Sequence, residues 1–187
     1  MYKYIYMKTA ITILVTMVLI SLNACTSTRT NIEQTAEQEK IATLVQAGNF
    51  VYEASSANPL RISVLDILPN GTGQQLRQLS PGYYLSVSAD TLKAKLPFFG
   101  RSYQAELDPS KAGIEFETTD FKYNYSKSKK GYYNITIKVS NQKSADRFNL
   151  TVSKDGYSTL QVHSIQRDPI SFYGRLTPHE ADILNSN

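Results

Sequence analysis

Residues 133–162 read YNITIKVSNQKSADRFNLTVSKDGYSTLQV. Apolar side chains take every second position: Tyr133, Ile135, Ile137 and Val139, then Phe148, Leu150 and Val152, then Leu160 and Val162. Successive side chains leave a strand on opposite sides, so a period of two marks strands with one buried face. The breaks between these runs are turn chemistry. Asn141 to Asp146 forms one, and Asp155-Gly156, a dipeptide suited to a tight hairpin, forms the other. Strands joined by such short connections are antiparallel neighbours, because parallel pairing needs a long crossover.

The same rhythm extends outward in both directions. Downstream, Arg167-Asp168-Pro169 closes into a last strand carrying Ile170, Phe172 and Leu176. Upstream, Ile114 and Phe116 share one face, Phe121, Tyr123 and Tyr125 the next, and a turn runs from Ser126 to Gly131, which reads as a chain of hairpins. Earlier still, Phe50, Tyr52 and Ala54 alternate with Val51, Glu53 and Ser55, and Leu85, Val87 and Ala89 with Tyr84, Ser86 and Ser88. Pro59 to Pro81 is less regular and reads as one short strand around Ile62, Val64 and Ile67 plus a long loop. About nine strands with one apolar face predict a mainly β fold. An antiparallel β-barrel is preferred over a two-sheet sandwich.

One segment follows a different period. From Asn31 to Ala47, Ile32, Ala36, Ile41, Leu44 and Val45 recur three or four apart, with Asn31 as N-cap and Gly48 as the stop at C′. This predicts an N-terminal amphipathic helix packed on the sheet.

The chain begins as a secretory leader: basic Lys3 and Lys8, an uncharged apolar run from Ala10 to Leu22, then small polar residues. The apolar run is shorter than the roughly 20 residues a bilayer span needs. Leu22-Asn23-Ala24-Cys25 resembles the lipobox of bacterial lipoproteins, and Cys25 is the single cysteine of the chain. Cys25 is therefore expected to be the lipidation site, anchoring the protein to a membrane. The expected organisation is a signal peptide at 1–24, a lipidated tether at 25–31, a single β-rich domain at 32–179 and a flexible tail at 180–187. Thr26 after the cysteine favours the outer membrane, facing the periplasm, over inner-membrane retention.

Charge and composition exclude several function classes. Without the leader's two lysines the net charge falls from +4 to +2, so the Lys127 to Lys130 cluster reads as a solvated loop and no nucleic-acid partner is expected. The two histidines, His163 and His179, lack ligand spacing and read as surface residues; no metal and no cofactor are expected. No nucleophile sits in a recognisable elbow. Glu115 and Glu117 share a polar strand face, as exposed acids commonly do.

The most distinctive local stretch is Leu96-Pro97-Phe98-Phe99-Gly100-Arg101-Ser102-Tyr103. Adjacent phenylalanines cannot face the same side of a strand, so Phe98, Phe99, Arg101 and Tyr103 mark either a packed corner or an aromatic lip on a binding surface. Tyr83-Tyr84 and Tyr132-Tyr133 each place a ring on either face, where outer rings suit a carbohydrate or peptide. Asp90-Thr91-Leu92 resembles a short bacterial O-glycosylation signal, with Thr91 as the acceptor.

Phe50-Val51-Tyr52-Glu53-Ala54, Tyr84-Leu85-Ser86-Val87, Leu96-Pro97-Phe98-Phe99-Gly100-Arg101, Gly113-Ile114-Glu115-Phe116 and the closing Ile170-Ser171-Phe172-Tyr173-Gly174 come in an order that resembles the domain of unknown function 4251 family. The resemblance spans roughly residues 38–177. It implies secreted or lipid-anchored envelope proteins of gut Gram-negative bacteria with a lipocalin-like β fold, and it brings no catalytic residues. The function expected is a monomeric, non-catalytic binding module for a small apolar or glycan ligand or an envelope partner. A scaffolding lipoprotein without a ligand is the alternative, and a hydrolase using His163 the least favoured.

Overall fold

A computed structural model describes residues 27–59, 77–103 and 113–179, with side chains from residue 34 onward. The leader, Cys25, the expected strand around Ile62 and the tail at 180–187 lie outside the described residues. The chain divides into two compact units, residues 1–37 and residues 38–187. The first contributes the opening turns of α1 (Ser27–Ala47), which begins ahead of the expected Asn31 cap and so takes up residues read as tether.

The second unit holds the end of α1 and, among the described residues, nine strands: β1 (Phe50–Pro59), β2 (Tyr84–Val87), β3 (Leu92–Leu96), β4 (Ile114–Thr118), β5 (Phe121–Lys127), β6 (Tyr133–Val139), β7 (Arg147–Val152), β8 (Tyr157–His163) and β9 (Ile170–Thr177). α1 stops where its sequence says it should. Gly48 has φ of 61°, its N–H bonds the Val45 carbonyl and the Asn49 N–H bonds the Leu44 carbonyl, the paired closure of a Schellman cap.

All pairings are antiparallel, in the order β4-β3-β2-β1-β9-β8-β7-β6-β5. This corrects one expectation. β4 and β5 follow each other through only Thr119-Asp120, yet they do not pair as a hairpin; they are the two ends of the sheet. Alternation along the sheet makes its first and last strands point the same way, and three Cα steps span at most about 11 Å. β4 and β5 are therefore two halves of one kinked pass, the first paired with β3 and the second with β6. That pass brings the sheet round into a nearly closed barrel. The Asp120 N–H bonds the Thr118 hydroxyl at 3.1 Å, fixing the kink, and the inward phase slips by one residue across it, from Ile114 and Phe116 to Phe121 and Tyr123.

Ring contacts show that the sheet wraps on itself. Phe116 of β4 meets Phe148 of β7 with centroids 6.1 Å apart, and Phe50 of β1 meets Tyr123 of β5 at 6.3 Å. The interior is occupied by the protein's own side chains: Phe50, Tyr52, Phe148 and Phe172 are fully buried with Leu85, Leu92, Ile135, Ile137, Leu150 and Leu160. Each contributes about 1.5–3 kcal/mol by leaving water. Ile41 and Val45 of α1 join the same core.

Candidate functional site

A barrel of this size either is filled by side chains or holds one small ligand. Here the packed interior leaves the outer face as the place to look. β1 is irregular there: its pairing with β9 shifts register between Ala54 and Ser56, leaving Ser55 as an extra residue. Opposite that bulge stands Gly174, where a Cβ would run into the Glu53 carbonyl and the Tyr52 ring. Only glycine lets the two strands approach so closely. Beyond the bulge, residues 77–83 lie along β1, with the Ala54 N–H bonding the Tyr83 carbonyl and the Leu79 N–H the Ser55 carbonyl, both at 2.9 Å.

This local geometry produces a groove of about 470 Å³ whose floor is the bulge and whose one wall is the 79–83 segment. Register places four outward side chains in a single row along it. Tyr84 stands opposite Glu53, Glu53 opposite Arg175, and Arg175 opposite Tyr157. The Arg175 guanidinium sits over the Tyr157 ring, 5.1 Å from its centroid, and Tyr157 is 63% exposed. A second hollow of about 260 Å³ shares Ser55, Tyr157 and Gly174 and adds Tyr132, Tyr173 and Thr159. The two adjoin at Ser55, Tyr157 and Gly174 as one trough, with Tyr132, Tyr157 and Tyr173 exposed along it, Tyr84 half-buried at one end, and Glu53 and Arg175 lining the first hollow. Aromatic faces beside charged groups are chemistry that can stack on the C–H faces of a sugar ring and hydrogen-bond its hydroxyls.

The sequence reading singled out Tyr84 and Tyr132 but missed Tyr157, Tyr173 and Arg175. Their signal was available in the phase opposite to Leu160 and Phe172.

The Phe98 corner is tied into the fold. Phe98 and Phe99 are half-buried against the core, and Arg167, itself buried, stacks on the Phe98 ring at 5.0 Å while its Nη1 donates to the Gly113 carbonyl at 2.9 Å. The Tyr103 hydroxyl donates to the buried Asp168 carboxylate at 2.7 Å. Backbone bonds run from Tyr103 N–H to the Gln166 carbonyl and from Asp168 N–H to the Arg101 carbonyl. These bonds fasten the connection after β3 to the one between β8 and β9. Arg101 and Tyr103 remain exposed, and a hollow of about 360 Å³ opens between Phe98 and Glu115.

The remaining candidates do not converge. His163 is half-buried at the end of β8 opposite Arg147, a cation. His179 is not a free surface residue: its Nε2 donates to the Val87 carbonyl at 3.0 Å. Glu117 pairs with Lys93 across strands at 3.2 Å, and Glu115 stands opposite Lys95. Thr91 lies in the β2–β3 turn with its hydroxyl donated to Asp90 at 3.0 Å. Among the described residues no group of three His, Cys, Asp or Glu side chains is placed to hold a metal ion. Burial raises the phenols of Tyr52 and Tyr123 above the ordinary value of 10.0, with the neighbouring Tyr125 adding to the effect at Tyr123.

A family model described as a domain of unknown function (DUF4251) matches residues 32–176. The chain belongs to the DUF4251 family. A solved structure of a DUF4251 family protein from Bacteroides eggerthii DSM 20697 superposes with a TM-score of 0.50 at 14% identity, covering 82% of this chain and 98% of that one. At that identity the likeness concerns the fold alone. No curated protein matches. The expected family and the expected barrel-type β fold of this DUF4251 chain therefore both hold, while the family itself has no assigned activity.

Proposed function

We propose that this DUF4251 protein is a lipid-anchored envelope protein, held through Cys25 at the periplasmic side of the outer membrane, that binds glycan on its outer face without catalysing a reaction. The observation that carries the binding reading is the row Tyr84–Glu53–Arg175–Tyr157 along an open groove on the outside of a filled barrel. Two aromatic platforms flanking a charged pair suit a saccharide, whose rings present apolar faces and polar edges in alternation. An interior ligand is disfavoured by the buried phenylalanines and leucines that fill the barrel.

The chain has no tryptophan and 13 tyrosines, so its intrinsic emission is tyrosine emission, and the part of any change that Tyr157→Ala abolishes is the groove's. Titration of the full chain in detergent with a panel of oligosaccharides should change that emission for at least one member and not in Tyr157→Ala. A panel that leaves wild type and variant alike removes the groove as a glycan site. For the anchor, Cys25→Ala should move the protein from the membrane fraction to the soluble periplasm.

A further inference from the structure

The outer face carries a second feature that the tyrosine trough does not explain. Across the strands at the far end of β5–β8, Lys122 stands directly opposite Lys138, Lys138 opposite Arg147, and Arg147 opposite His163. Directly opposed residues on an antiparallel sheet have Cβ atoms about 4.5–5.5 Å apart, and like charges so placed are destabilising. Three permanent cations in consecutive register are therefore an arrangement that folding alone selects against. At the other end of the strand order the same outer face follows the ordinary rule, with Lys93 of β3 paired to Glu117 of β4 and Lys95 facing Glu115. Among the described residues no ion pair neutralises Lys122, Lys138 or Arg147, all three of which are exposed.

The next outward row along the same strands is Asn124, Thr136, Asn149 and Gln161, each opposite the next. It is uncharged and consists of amides and a hydroxyl, with both donors and acceptors. A line of three cations roughly 10 Å long, extended to roughly 15 Å by His163 and bordered by a line of amides, matches a chain polymer that carries anionic groups on one edge and hydroxyls on the other. Neither row contains a tyrosine or phenylalanine, so the large aromatic platforms on which successive nucleic-acid bases stack are missing from both. A row that crosses the strands also follows the curvature of the barrel. A flexible polymer can contact all of it, whereas a planar lipid surface meets only its middle.

We propose that the Lys122–Lys138–Arg147–His163 row, with Asn124, Thr136, Asn149 and Gln161 beside it, binds an acidic polysaccharide. This site shares no residue with the tyrosine trough, although Asn149 and Gln161 lie next to Thr151 and Thr159 at its edge, and its test does not depend on that trough. Fluorescein-labelled oligogalacturonate is titrated by anisotropy into the full chain in detergent at low ionic strength, alongside labelled neutral dextran, labelled oligo-dT and anionic phospholipid vesicles. The polyuronate is expected to bind at least ten-fold more tightly than the other three. That affinity should fall at least ten-fold in Lys122→Glu/Lys138→Glu, whose exposed positions leave the melting temperature at or above that of wild type, and should collapse at 0.5 M salt, where the screening length is only a few Å. Tyr157→Ala should bind the polyuronate as wild type does. Equal polyuronate binding by wild type and the charge-reversed variant, no polyuronate binding by wild type, or equal or tighter binding of oligo-dT or vesicles would each overturn the assignment.

Discussion

The hydroxyl of Tyr123 donates a 2.7 Å hydrogen bond to the carbonyl of Val45, tying the middle of β5 to the last turn of α1. That carbonyl also accepts the Gly48 N–H of the helix cap, and the Tyr123 ring lies against Gly48 and Phe50. One side chain thus joins the kinked pass that closes the barrel to the end of the helix and to the start of β1.

Tyr123→Phe keeps the ring and removes the bond, and should cost about 1 kcal/mol of unfolding free energy. Tyr123→Ala also loses the packing and should cost about 3–5 kcal/mol. Chemical denaturation measures both. Hydrogen exchange should show the last turn of α1 opening more readily in the Phe variant, and unchanged protection there would mean that the bond does not hold the helix end.

Burial raises the phenols of both Tyr52 and Tyr123 in the folded protein. A group whose folded pKa lies above its unfolded value favours the fold while it stays protonated in both states. The stability it contributes is complete below about pH 10 and is lost as pH rises beyond it, because the unfolded chain then releases protons that the folded chain retains. Melting temperature should therefore be flat from pH 8 to 9.5 as far as these two groups are concerned and fall steeply above 10. Two phenols should ionise only with unfolding in a spectrophotometric titration. If all the tyrosines titrate freely near pH 10, the burial of these two is wrong.

Among the described residues the buried Tyr52 hydroxyl has no hydrogen-bond partner. A buried polar group without a partner costs about 1–3 kcal/mol relative to an apolar group of the same shape. Tyr52→Phe is then expected to be neutral or to stabilise by up to about 1–2 kcal/mol, read as a rise in the denaturation midpoint. A loss of more than 1 kcal/mol would reveal a partner for the hydroxyl, such as a bound water.

Most of the sheet was legible in the sequence because its chemistry is local. The alternation of Tyr133 to Val139 and Phe148 to Val152, Gly48 as a helix stop and Asp155-Gly156 as a turn each depend on residues a few positions apart. What was not legible depends on partners far along the chain. The two-residue link at Thr119-Asp120 looks like a hairpin turn, and only closure of the whole barrel makes it a kink between β4 and β5. Likewise Glu53, Tyr84, Tyr157 and Arg175 are unremarkable separately, and it is register between four strands that lines them up. The Phe98 segment was recognised as a special place, yet the residues that explain it, Arg167 and Asp168, lie some 65 positions further on.

Gly174 stands where β1 bulges, and a methyl group there would meet the Glu53 backbone rather than a flexible side chain. Overpacking of that kind costs typically 1–3 kcal/mol or more. Gly174→Ala should destabilise by at least 2 kcal/mol and distort the groove, so that ligand-induced tyrosine emission is lost as well. A well-folded Gly174→Ala variant with unchanged stability would mean that β1 and β9 are further apart than described.

The two arginines of the Phe98 corner should behave oppositely. Arg167 is buried, stacked on Phe98 and bonded to the Gly113 carbonyl, so Arg167→Ala leaves an unpaired carbonyl and a cavity beside the ring. A loss of about 2–4 kcal/mol is expected, since both the hydrogen bond and the packing disappear. The side chain of Arg101 is exposed, and the backbone bond its carbonyl makes to Asp168 survives substitution. Arg101→Ala should change stability by less than about 0.5 kcal/mol. Thermal melts of the pair decide what the corner is for: a large cost at Arg167 with none at Arg101 identifies a clasp between two connections, whereas equal and small effects would leave the exposed aromatic edge without a structural reason to exist.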